Sequence, residues 1–258
     1  MPNPTVCAVM LVNGRSDMVR RAIACFRAQR YERKRLLIWD TGYNPALELD
    51  QITSDLWYDR PWRNLGGTIG TLRNAANSLA LSDTFSPDGS RVDLIAHFDS
   101  DDVSHPRRLE EQVALLEASG KMCVGYRECL FWDTRVKHAS LGGTDVTSHV
   151  DEAWLYCQRD PRFAIGASML YRRELWEQQP FPDVPHEDYR WWLTPLVSNN
   201  CVGVSSILGD FDPRMVCQIH GGNTETYDRA TMLAGGGGMW SRAAASDTHC
   251  AEVMKLCA

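Results

Sequence analysis

The sequence predicts an α/β protein built on a mostly parallel central sheet flanked by helices, followed by a smaller part with mixed strands. Three observations support this prediction. Within residues 1–120, short apolar runs alternate with helical patterns, as in parallel strands joined by crossover helices. The run 92–98 is almost continuously apolar, as in a strand buried on both faces. Beyond residue 120, strand patterns outnumber helical ones.

The elements of the first half follow from local patterns. Residues 5–12, 36–39 and 56–58 predict three strands. Ser16 is placed to cap the first helix, and Pro106 is placed in the first turn of the third. The second helix is predicted to bury one apolar face, formed by Ile69, Leu72, Ala76 and Leu79.

Strand patterns dominate the second half of the chain. They lie at 122–126, 129–132, 167–171, 201–204 and 215–219. A hairpin is predicted near 133–135, and the Gly/Thr/Ser-rich stretch 141–151 is predicted to be a mobile connection. We divide the chain into a first half at 1–120, a second half of the same domain at 121–225, and a C-terminal tail or lid at 226–258. The four glycines from residue 235 are its predicted hinge.

The bulk composition narrows the class of protein. With 258 residues, 44% of them hydrophobic and 23% charged, the chain has an ordinary globular composition. A net charge of −6 does not indicate a broad nucleic-acid-binding surface. The start of the chain does not resemble a signal peptide, and no apolar run is long enough to span a bilayer. We therefore expect a cytoplasmic protein without a transmembrane segment.

The cysteines indicate reduced thiols with a structural role. Nine are present, and no two form a CxxC pair. Several lie inside apolar runs, where a free thiol behaves as a small hydrophobic group. A zinc site has only weak support from spacing; its ligands would be Cys217, His220, His249 and Cys250.

Three carboxylates follow the central strand. Asp99, Asp101 and Asp102 come directly after its apolar run, at the end where ligands bind in open α/β sheets. Because an unpaired carboxylate is costly to bury, we expect them to face a crevice where a divalent cation meets phosphate oxygens. A solvated acidic loop is the alternative. A calcium-binding loop is disfavoured, since Ser104 stands where that loop needs glycine.

A second pair of carboxylates, Glu187 and Asp188, opens a helical aromatic stretch. We interpret one of them as a general base. The alternative is that the pair has no catalytic role and is favoured only by the helix dipole, which stabilises carboxylates at a helix N-terminus. Trp191 and Trp192 follow, either as core residues or as an apolar platform for a ligand, with the core favoured for Trp192.

Four motifs together carry a resemblance. They are Asp40 at the end of the second strand, residues 64–66 (NLG) leading to Arg73, residues 99–102 (DSDD), and the pair at 187–188. A weaker fifth motif lies at 218–224 (QIHGGNT). With these motifs in this order and spacing, the chain resembles the inverting family 2 nucleotide-sugar glycosyltransferases of the GT-A fold, from about residue 6 to about residue 224.

The resemblance implies that the first half holds a nucleotide-sugar donor, with a UDP-sugar favoured. Asp40 would accept a hydrogen bond from uracil, and Arg73 would meet the diphosphate. Asp101 would be the main ligand of Mn²⁺ or Mg²⁺, Asp99 would contact the ribose or metal-bound water, and His220 would complete the metal or diphosphate site. The alternatives are a turn residue for Asp40, a surface helix residue for Arg73, and a core or loop residue for His220.

The same resemblance implies that the second half binds the acceptor. Asp188 would accept the proton of the acceptor hydroxyl as it attacks the anomeric carbon, with Glu187 beside it, and the configuration would invert. The acceptor stays open: a glycan, a protein, a small molecule or, as an alternative use of the same chemistry, a hydroxymethylated base in phage DNA. The oligomeric state is open as well.

Two other functions compete with glycosyl transfer. The glycine-rich stretch 66–73 resembles the signature of nucleotidyltransferases, but that signature should follow the first strand, where residues 13–15 read NGR. The other competitor is a catalytically inactive module that only binds a nucleotide sugar. Hydrolysis of a donor would distinguish an enzyme from such a module.

Overall fold

The structure, a computed structural model, describes residues 3–48, 55–61, 67–85, 91–141, 144–149, 152–208, 212–221, 223 and 229–243. Parts of the predicted motifs lie outside the described residues: the NLG motif at 64–66, Gly222 and Thr224 of the fifth motif, and the candidate zinc ligands His249 and Cys250.

In the first half, strands and helices alternate as predicted. They are β1 (Val6–Val12), α1 (Ser16–Arg27), β2 (Lys34–Asp40), β3 (Leu56–Asp59), α2 (Ile69–Ala80), β4 (Leu94–His97), β5 (Val103–Ser104) and α3 (Arg108–Ser119). The second half holds most of the remaining strands. Its elements are β6 (Cys123–Asp133), β7 (Val136–Leu141), β8 (Thr144–His149), β9 (Glu152–Cys157), β10 (Leu170–Arg172), α4 (Arg173–Gln178), α5 (Glu187–Trp192), α6 (Pro195–Asn199), β11 (Cys201–Ser205), β12 (Ile207–Leu208), β13 (Asp212–Pro213), β14 (Met215–Ile219), α7 (Arg229–Leu233) and β15 (Trp240–Arg242).

The described strands form a central sheet in the order β15-β9-β6-β10-β4-β1-β2-β3. β1 pairs in parallel with β2 and β4, and β2 pairs in parallel with β3. Because these strands share one direction, their carboxyl ends, at Val12, Asp40 and His97, meet at one edge of the sheet. In the mixed part, β10 runs antiparallel to β4, and β6 pairs with β9, β11 and β14. The predicted α/β architecture is confirmed.

Alternate residues of β1 face two separate layers of the core. Cys7 and Val9 pack with residues of α2 on one face, while Ala8 and Met10 pack with residues of α1 on the other. α3 packs beside β4 and extends the core. Since helices cover both faces of the sheet, the carboxyl edge of the strands is the place left for a ligand.

Three predictions about helices need correction. No side-chain hydrogen bond caps α1 among the described residues; the residue before it, Arg15, has a left-handed backbone with φ 63°. α3 begins at Arg108, so Pro106 lies before the helix. α2 turns only part of the predicted face inward: Ala76 is buried and Leu79 packs partly buried against the core, whereas Ile69 and Leu72 are not buried. Arg73 faces inward because it pairs with Glu187 and Asp99. The residues that α2 buries are Gly70, Arg73, Ala76, Asn77 and Ala80.

Three predictions about strands need correction. The patterns at 122–126 and 129–132 form a single strand, β6. The stretch 141–151, predicted as a connection, contains β8, which pairs with β7 in a hairpin. The pattern at 167–171 begins as a 3₁₀ turn, Gly166–Ser168, before β10. The strands predicted at 201–204 and 215–219 agree with β11 and β14.

The predicted tail at 226–258 is described at residues 229–243. There α7 leads through a 3₁₀ turn at Gly236–Gly238 into β15, which pairs antiparallel with β9. This part of the segment therefore belongs to the sheet, and the glycines make a turn. Within the described ranges, no helix combines the length and the hydrophobicity needed to cross a membrane.

Candidate active site

A cavity of about 300 Å³ opens at the carboxyl edge of the sheet. It is formed by the ends of β1 and β2, the acidic loop after β4, the first turns of α2 and α5, and β14. The side chains used below that line it are Arg15, Thr41, Arg73, Asp99, Asp101, Asp102, Glu187, Asp188 and Gln218. Two predicted site residues are not among those that line it. His220 adjoins the cavity through Asp101, whereas Asp40 is buried beside it.

One cluster joins the acidic loop to β14 and to the turn after β1. His220 Nε2 lies 2.9 Å from Asp101 Oδ2. Arg15 Nη1 lies 2.9 Å from the same oxygen and 3.0 Å from His220 Nε2. The structure therefore brings together two of the predicted metal-site residues and adds an arginine that the sequence analysis did not select.

The acidic loop is held in place from two sides. Arg21, on α1, donates to the backbone oxygen of Asp101 and to Oε1 of Gln218, each at 2.6 Å. The backbone N–H of Gln218 donates in turn to Asp102 Oδ1 at 3.1 Å. Since α1 and β14 both hold the loop, the carboxylate of Asp101 has a defined position even without a ligand.

Burial and charge act differently on the three carboxyl groups of the loop. Burial raises the pKa of Asp99 against the opposing charge of a guanidinium, and Asp101 adds to the rise. Burial and the neighbouring carboxylates raise the pKa of Asp102 well above its usual value. Burial acts on Asp101 too, but the hydrogen bond from His220 and the charge of Arg15 outweigh it, so its pKa is lowered. Asp101 is therefore the carboxyl group of this loop that most favours the ionised form.

Arg73 connects the two carboxylate motifs. It is 6% exposed, Nε donates to Glu187 Oε1 at 3.0 Å, and Nη1 lies 3.6 Å from Asp99 Oδ1. No hydrogen-bond partner of Nη1 is present among the described residues. A buried guanidinium with an unsatisfied N–H beside a cavity can still bind an anion there. The expectation that Arg73 lies on the surface of its helix is excluded.

Asp188 is packed against a glycine. A Cβ added to Gly166 would lie 1.7 Å from Asp188 Oδ2 and 2.5 Å from its Cγ, which no real structure tolerates. Burial and the charge of Glu187 raise the pKa of Asp188, although Arg73 opposes the rise. A carboxylate whose pKa is raised in this way is a stronger base than an exposed one.

The glycine is itself held by a buried polar chain beneath Asp188. His97 Nδ1 donates to the backbone oxygen of Gly166 at 2.7 Å. That leaves Nε2 to accept from the hydroxyl of Tyr171 at 3.3 Å, and the same hydroxyl accepts from Asn77 Nδ2 at 2.9 Å. The end of β4 thus fixes the turn against which the candidate base rests.

Replacing Gly166 with alanine is expected to displace Asp188 and to destabilise the fold by about 1–3 kcal/mol, because the added methyl group has no room. Thermal unfolding measures the loss. Asp188→Ala removes the two closest contacts, so the destabilisation by Gly166→Ala should be smaller in that background. An equal loss of stability in both backgrounds would show that the added methyl group clashes with a group other than Asp188.

Asp40 does not present its carboxylate to the cavity. It is 1% exposed and accepts from the backbone N–H of Gly42 at 2.8 Å, from that of Ala46 at 2.9 Å, and from the hydroxyl of Tyr58. Arg60 Nε lies 3.5 Å away. The expected direct contact with uracil would need one of these donors to withdraw. In this structure Asp40 organises the turn after β2, whose Thr41 lines the cavity.

The aromatic residues of α5 are divided between core and surface. Trp191 is 0% and Trp192 is 8% exposed, so both are core residues and the alternative of a ligand platform is excluded. Each indole N–H donates to a backbone oxygen, of Gln179 and of Arg162 respectively. Tyr189 is 44% exposed and lies directly after Asp188. Tyr189 is therefore the exposed aromatic residue of α5.

Asp101 and His220 are the side chains of the site that could hold a divalent cation. The described residues contain no group of three or more His, Cys, Asp or Glu side chains able to hold a metal ion. However, Mg²⁺ usually takes only one or two protein carboxylates together with phosphates, and neighbouring ligands at about 2.1 Å in an octahedron lie about 3.0 Å apart. The 2.9 Å between Asp101 Oδ2 and His220 Nε2 matches that spacing.

The sequence analysis missed four residues of the site. Arg15 was considered only as part of the NGR sequence after the first strand, and nothing in the local pattern around Arg21 or Gly166 indicates a site. His97 is the fourth, and its position just before the acidic run was a usable signal. Contacts between residues far apart in the chain position all four.

Comparisons with solved structures agree with this architecture. The chain is similar to TarS of S. aureus in complex with UDP-GlcNAc, with 14% identity, a TM-score of 0.55, and coverage of 97% of this chain and 70% of that one. For TarS in complex with UDP the identity is 14% and the TM-score is 0.54, with coverage of 83% of this chain and 60% of that one. A third similar structure is that of the mannosyltransferase PcManGT from Pyrobaculum calidifontis in complex with GDP-Man and Mn²⁺. Its identity is 13% and its TM-score is 0.52, with coverage of 90% of this chain and 60% of that one.

These likenesses show the fold, and the predicted GT-A fold is confirmed. The chain spans 60% of the length of the TarS structure with UDP and of the mannosyltransferase. Neither a protein-family model nor a curated protein sequence matches it.

Proposed function

We propose that this protein is an inverting glycosyltransferase that moves a sugar from a nucleoside-diphosphate donor, with UDP-sugars favoured, to a hydroxyl group of an acceptor. The observation that carries the proposal is the pairing of Arg73 with both carboxylate motifs at one cavity. The fold supports it, since structures of this fold were solved with UDP, UDP-GlcNAc and GDP-Man. We further propose that transfer depends on Mn²⁺ or Mg²⁺.

On the donor side, the proposed roles follow from charge and position. Arg73 would donate its unsatisfied Nη1 to a diphosphate oxygen, because a guanidinium binds phosphate strongly and is buried here beside the cavity. Asp99 would accept from a ribose hydroxyl, since its carboxyl group lines the same wall. Asp101 and His220 would hold the cation. When bound, the cation would offset the negative charge that develops on the leaving diphosphate.

On the acceptor side, Asp188 would act as general base. The acceptor oxygen attacks the anomeric carbon, the bond from that carbon to the diphosphate oxygen breaks, and Asp188 takes the hydroxyl proton. One displacement at one face inverts the configuration. Glu187 would keep Arg73 in place through the 3.0 Å contact between them. Tyr189 would lie beside the acceptor, where an aromatic ring can stack on a sugar or a base.

The proposal is tested by a donor screen that detects release of nucleoside diphosphate from UDP-, GDP- and ADP-sugars with and without Mn²⁺. Mass spectrometry of candidate acceptors then identifies the product, and the anomeric configuration shows whether it is inverted. Release with at least one donor, lost in the Asp188→Asn variant when acceptor is present, supports the enzyme. Tight binding of a nucleotide sugar without any turnover would instead support an inactive binding module.

The rate of transfer should fall as the pH is lowered, and the midpoint of this acid limb should lie above the ordinary aspartate pKa of 3.8. Burial and Glu187 raise the pKa of Asp188, and a general base works only when ionised, so the rate should rise as pH increases through that raised value. Glu187→Gln removes one of the charges that raise the pKa and should move the limb to lower pH. A profile of kcat/KM against pH measures both effects. A limb that stays in place in this variant would contradict the assignment.

UDP is expected to bind more tightly than GDP or ADP, and Asp40 is expected to support the binding of all three through the turn that it organises. In Asp40→Asn an amide N–H₂ replaces a carboxylate oxygen, so two hydrogen-bond donors face each other in that turn. One unsatisfied buried donor lowers the free energy of unfolding by about 1–3 kcal/mol. The variant should therefore unfold at a lower temperature and bind all three diphosphates more weakly, by similar factors. Calorimetric titrations give the affinities. If only UDP binding falls and stability is unchanged, Asp40 contacts uracil directly.

Asp55→Asn is a suitable control for this experiment. Asp55 is half exposed and pairs with Arg27 on the outer side of α1, away from the cavity. The Asp55→Asn variant should keep nearly the wild-type melting temperature and the same order of affinities for the three diphosphates, because an exposed ion pair contributes little to stability.

A further inference from the structure

Arg15 occupies the position next to Asp101 and His220 where a cation is expected. Its Nη1 lies 2.9 Å from Asp101 Oδ2 and 3.0 Å from His220 Nε2, and the latter two atoms are 2.9 Å apart. The three atoms form an almost equilateral triangle. A guanidinium carries a permanent positive charge, so the cluster already contains one cation, supplied by the chain itself.

The hydrogen bonding in this cluster contains a conflict. His220 Nε2 can donate to Asp101 Oδ2 or accept from Arg15 Nη1, but it cannot do both at once. Its lone pair and the carboxylate oxygen would both point at a bound metal ion, which removes the conflict. Either tautomer of His220 therefore leaves one of the two short contacts of its Nε2 without a hydrogen bond.

The backbone of Arg15 is unusual as well. It is left-handed, with φ 63° and ψ 48°, and only one other described non-glycine residue, His186, has a positive φ. Such a conformation is unfavourable for a non-glycine residue and persists where surrounding contacts fix it, often at functional sites. It aims the side chain from the turn after β1 across the cavity at the acidic loop.

We propose that Arg15 is an exchangeable internal cation. It holds Asp101 and His220 while donor is absent, and it releases them to the divalent cation and turns its guanidinium to the diphosphate when the donor binds. The proposal rests on the proposed function, since it uses the same cation and donor. It adds that Arg15 weakens cation binding to the empty protein and strengthens donor binding, so the cation and the donor bind cooperatively.

The test measures Mn²⁺ binding without nucleotide, from the electron paramagnetic resonance signal of the unbound ion. Arg15→Gly removes the guanidinium and suits a left-handed backbone, so it should fold; Arg15→Gln is a second variant that keeps most of the side chain. Removing the positive charge that competes with Mn²⁺ for Asp101 and His220 should tighten Mn²⁺ binding by at least ~5-fold. In saturating Mn²⁺, both variants should bind UDP about 10-fold more weakly, since one charge-assisted contact is lost.

Arg20→Gln is the matched control. Arg20 lies on α1, pairs with Asp17 and is half exposed, so its replacement changes the net charge equally without touching the cluster. It should leave both affinities unchanged. Unchanged or weaker Mn²⁺ binding in both Arg15 variants would overturn the proposal, and intact Mn²⁺-dependent UDP binding in the same experiment would leave the proposed function standing. If no protein, wild type included, binds Mn²⁺ with or without UDP, the cation site of the proposed function fails, and this proposal fails with it.

Discussion

Asp188→Asn is expected to slow sugar transfer by at least ~100-fold, because general base catalysis typically contributes about 10²–10⁴-fold. The amide keeps the size of the carboxyl group, and its oxygen can still accept the 2.7 Å bond from the N–H of Tyr189. It cannot take up the proton of the acceptor hydroxyl. The effect should therefore fall on the step in which that proton moves, and a transfer assay at saturating donor measures it.

Donor affinity should change by less than a few-fold in the same variant. The groups proposed to hold the diphosphate and its cation are Arg73, Asp101 and His220, and the hydrogen bonds described above join them to Glu187 and to each other. A loss in kcat without a loss in donor binding separates chemistry from binding. Calorimetric titration with UDP and Mn²⁺ provides the second measurement. Failure to bind donor would assign Asp188 to the donor site instead.

Asp183→Asn is the control for this comparison. Asp183 lies five residues earlier and accepts from the hydroxyls of Thr68 and Thr71 at 2.7 Å, outside the cavity. Its replacement removes the same charge from the same region of the chain. Transfer should remain near the wild-type rate, and wild-type transfer by Asp188→Asn itself would exclude the catalytic role.

The parts of the fold that could be predicted are those with a local cause. β1, β2, β4 and β14 are short apolar runs that end abruptly, and a run of that kind has few alternatives to a buried strand. The acidic loop could be placed for the same reason, since the end of β4 fixes where residues 99–102 must lie. Parallel pairing then brings the loop to the edge where Val12 ends β1.

The rest depends on contacts that no local pattern contains. Arg73 turns inward because Glu187, far along the chain, accepts a hydrogen bond from its Nε, so α2 buries a polar residue that its apolar pattern does not mark. Gly166 looks like any loop glycine until Asp188 packs on it. Trp191 and Trp192 were ambiguous because an aromatic residue suits a core and a binding surface equally well.

Asp101→Ala is expected to reduce donor turnover by at least ~10³-fold. A divalent cation contributes several kcal/mol to stabilising charge on a leaving diphosphate, and each 1.36 kcal/mol is a factor of ten. Asp101 is the carboxylate of its loop whose pKa is lowered, and the backbone contact from Arg21 keeps it at the cavity. Removal of the cation with excess chelator should have a comparable effect on the wild type, reversed by added Mn²⁺ or Mg²⁺.

The losses of turnover caused by Asp101→Ala and by chelator should not be additive. Non-additivity is the most direct evidence that the substitution and the chelator act on one site. Chelator should cost the Asp101→Ala variant much less than it costs the wild type, because that variant has already lost the main protein ligand. Asp17→Asn, with a side chain 95% exposed on α1, removes one negative charge elsewhere and should respond to chelator as the wild type does. Full wild-type turnover in excess chelator would mean that Asp101 holds its partners, Arg15 and His220, for a reaction that uses no metal ion.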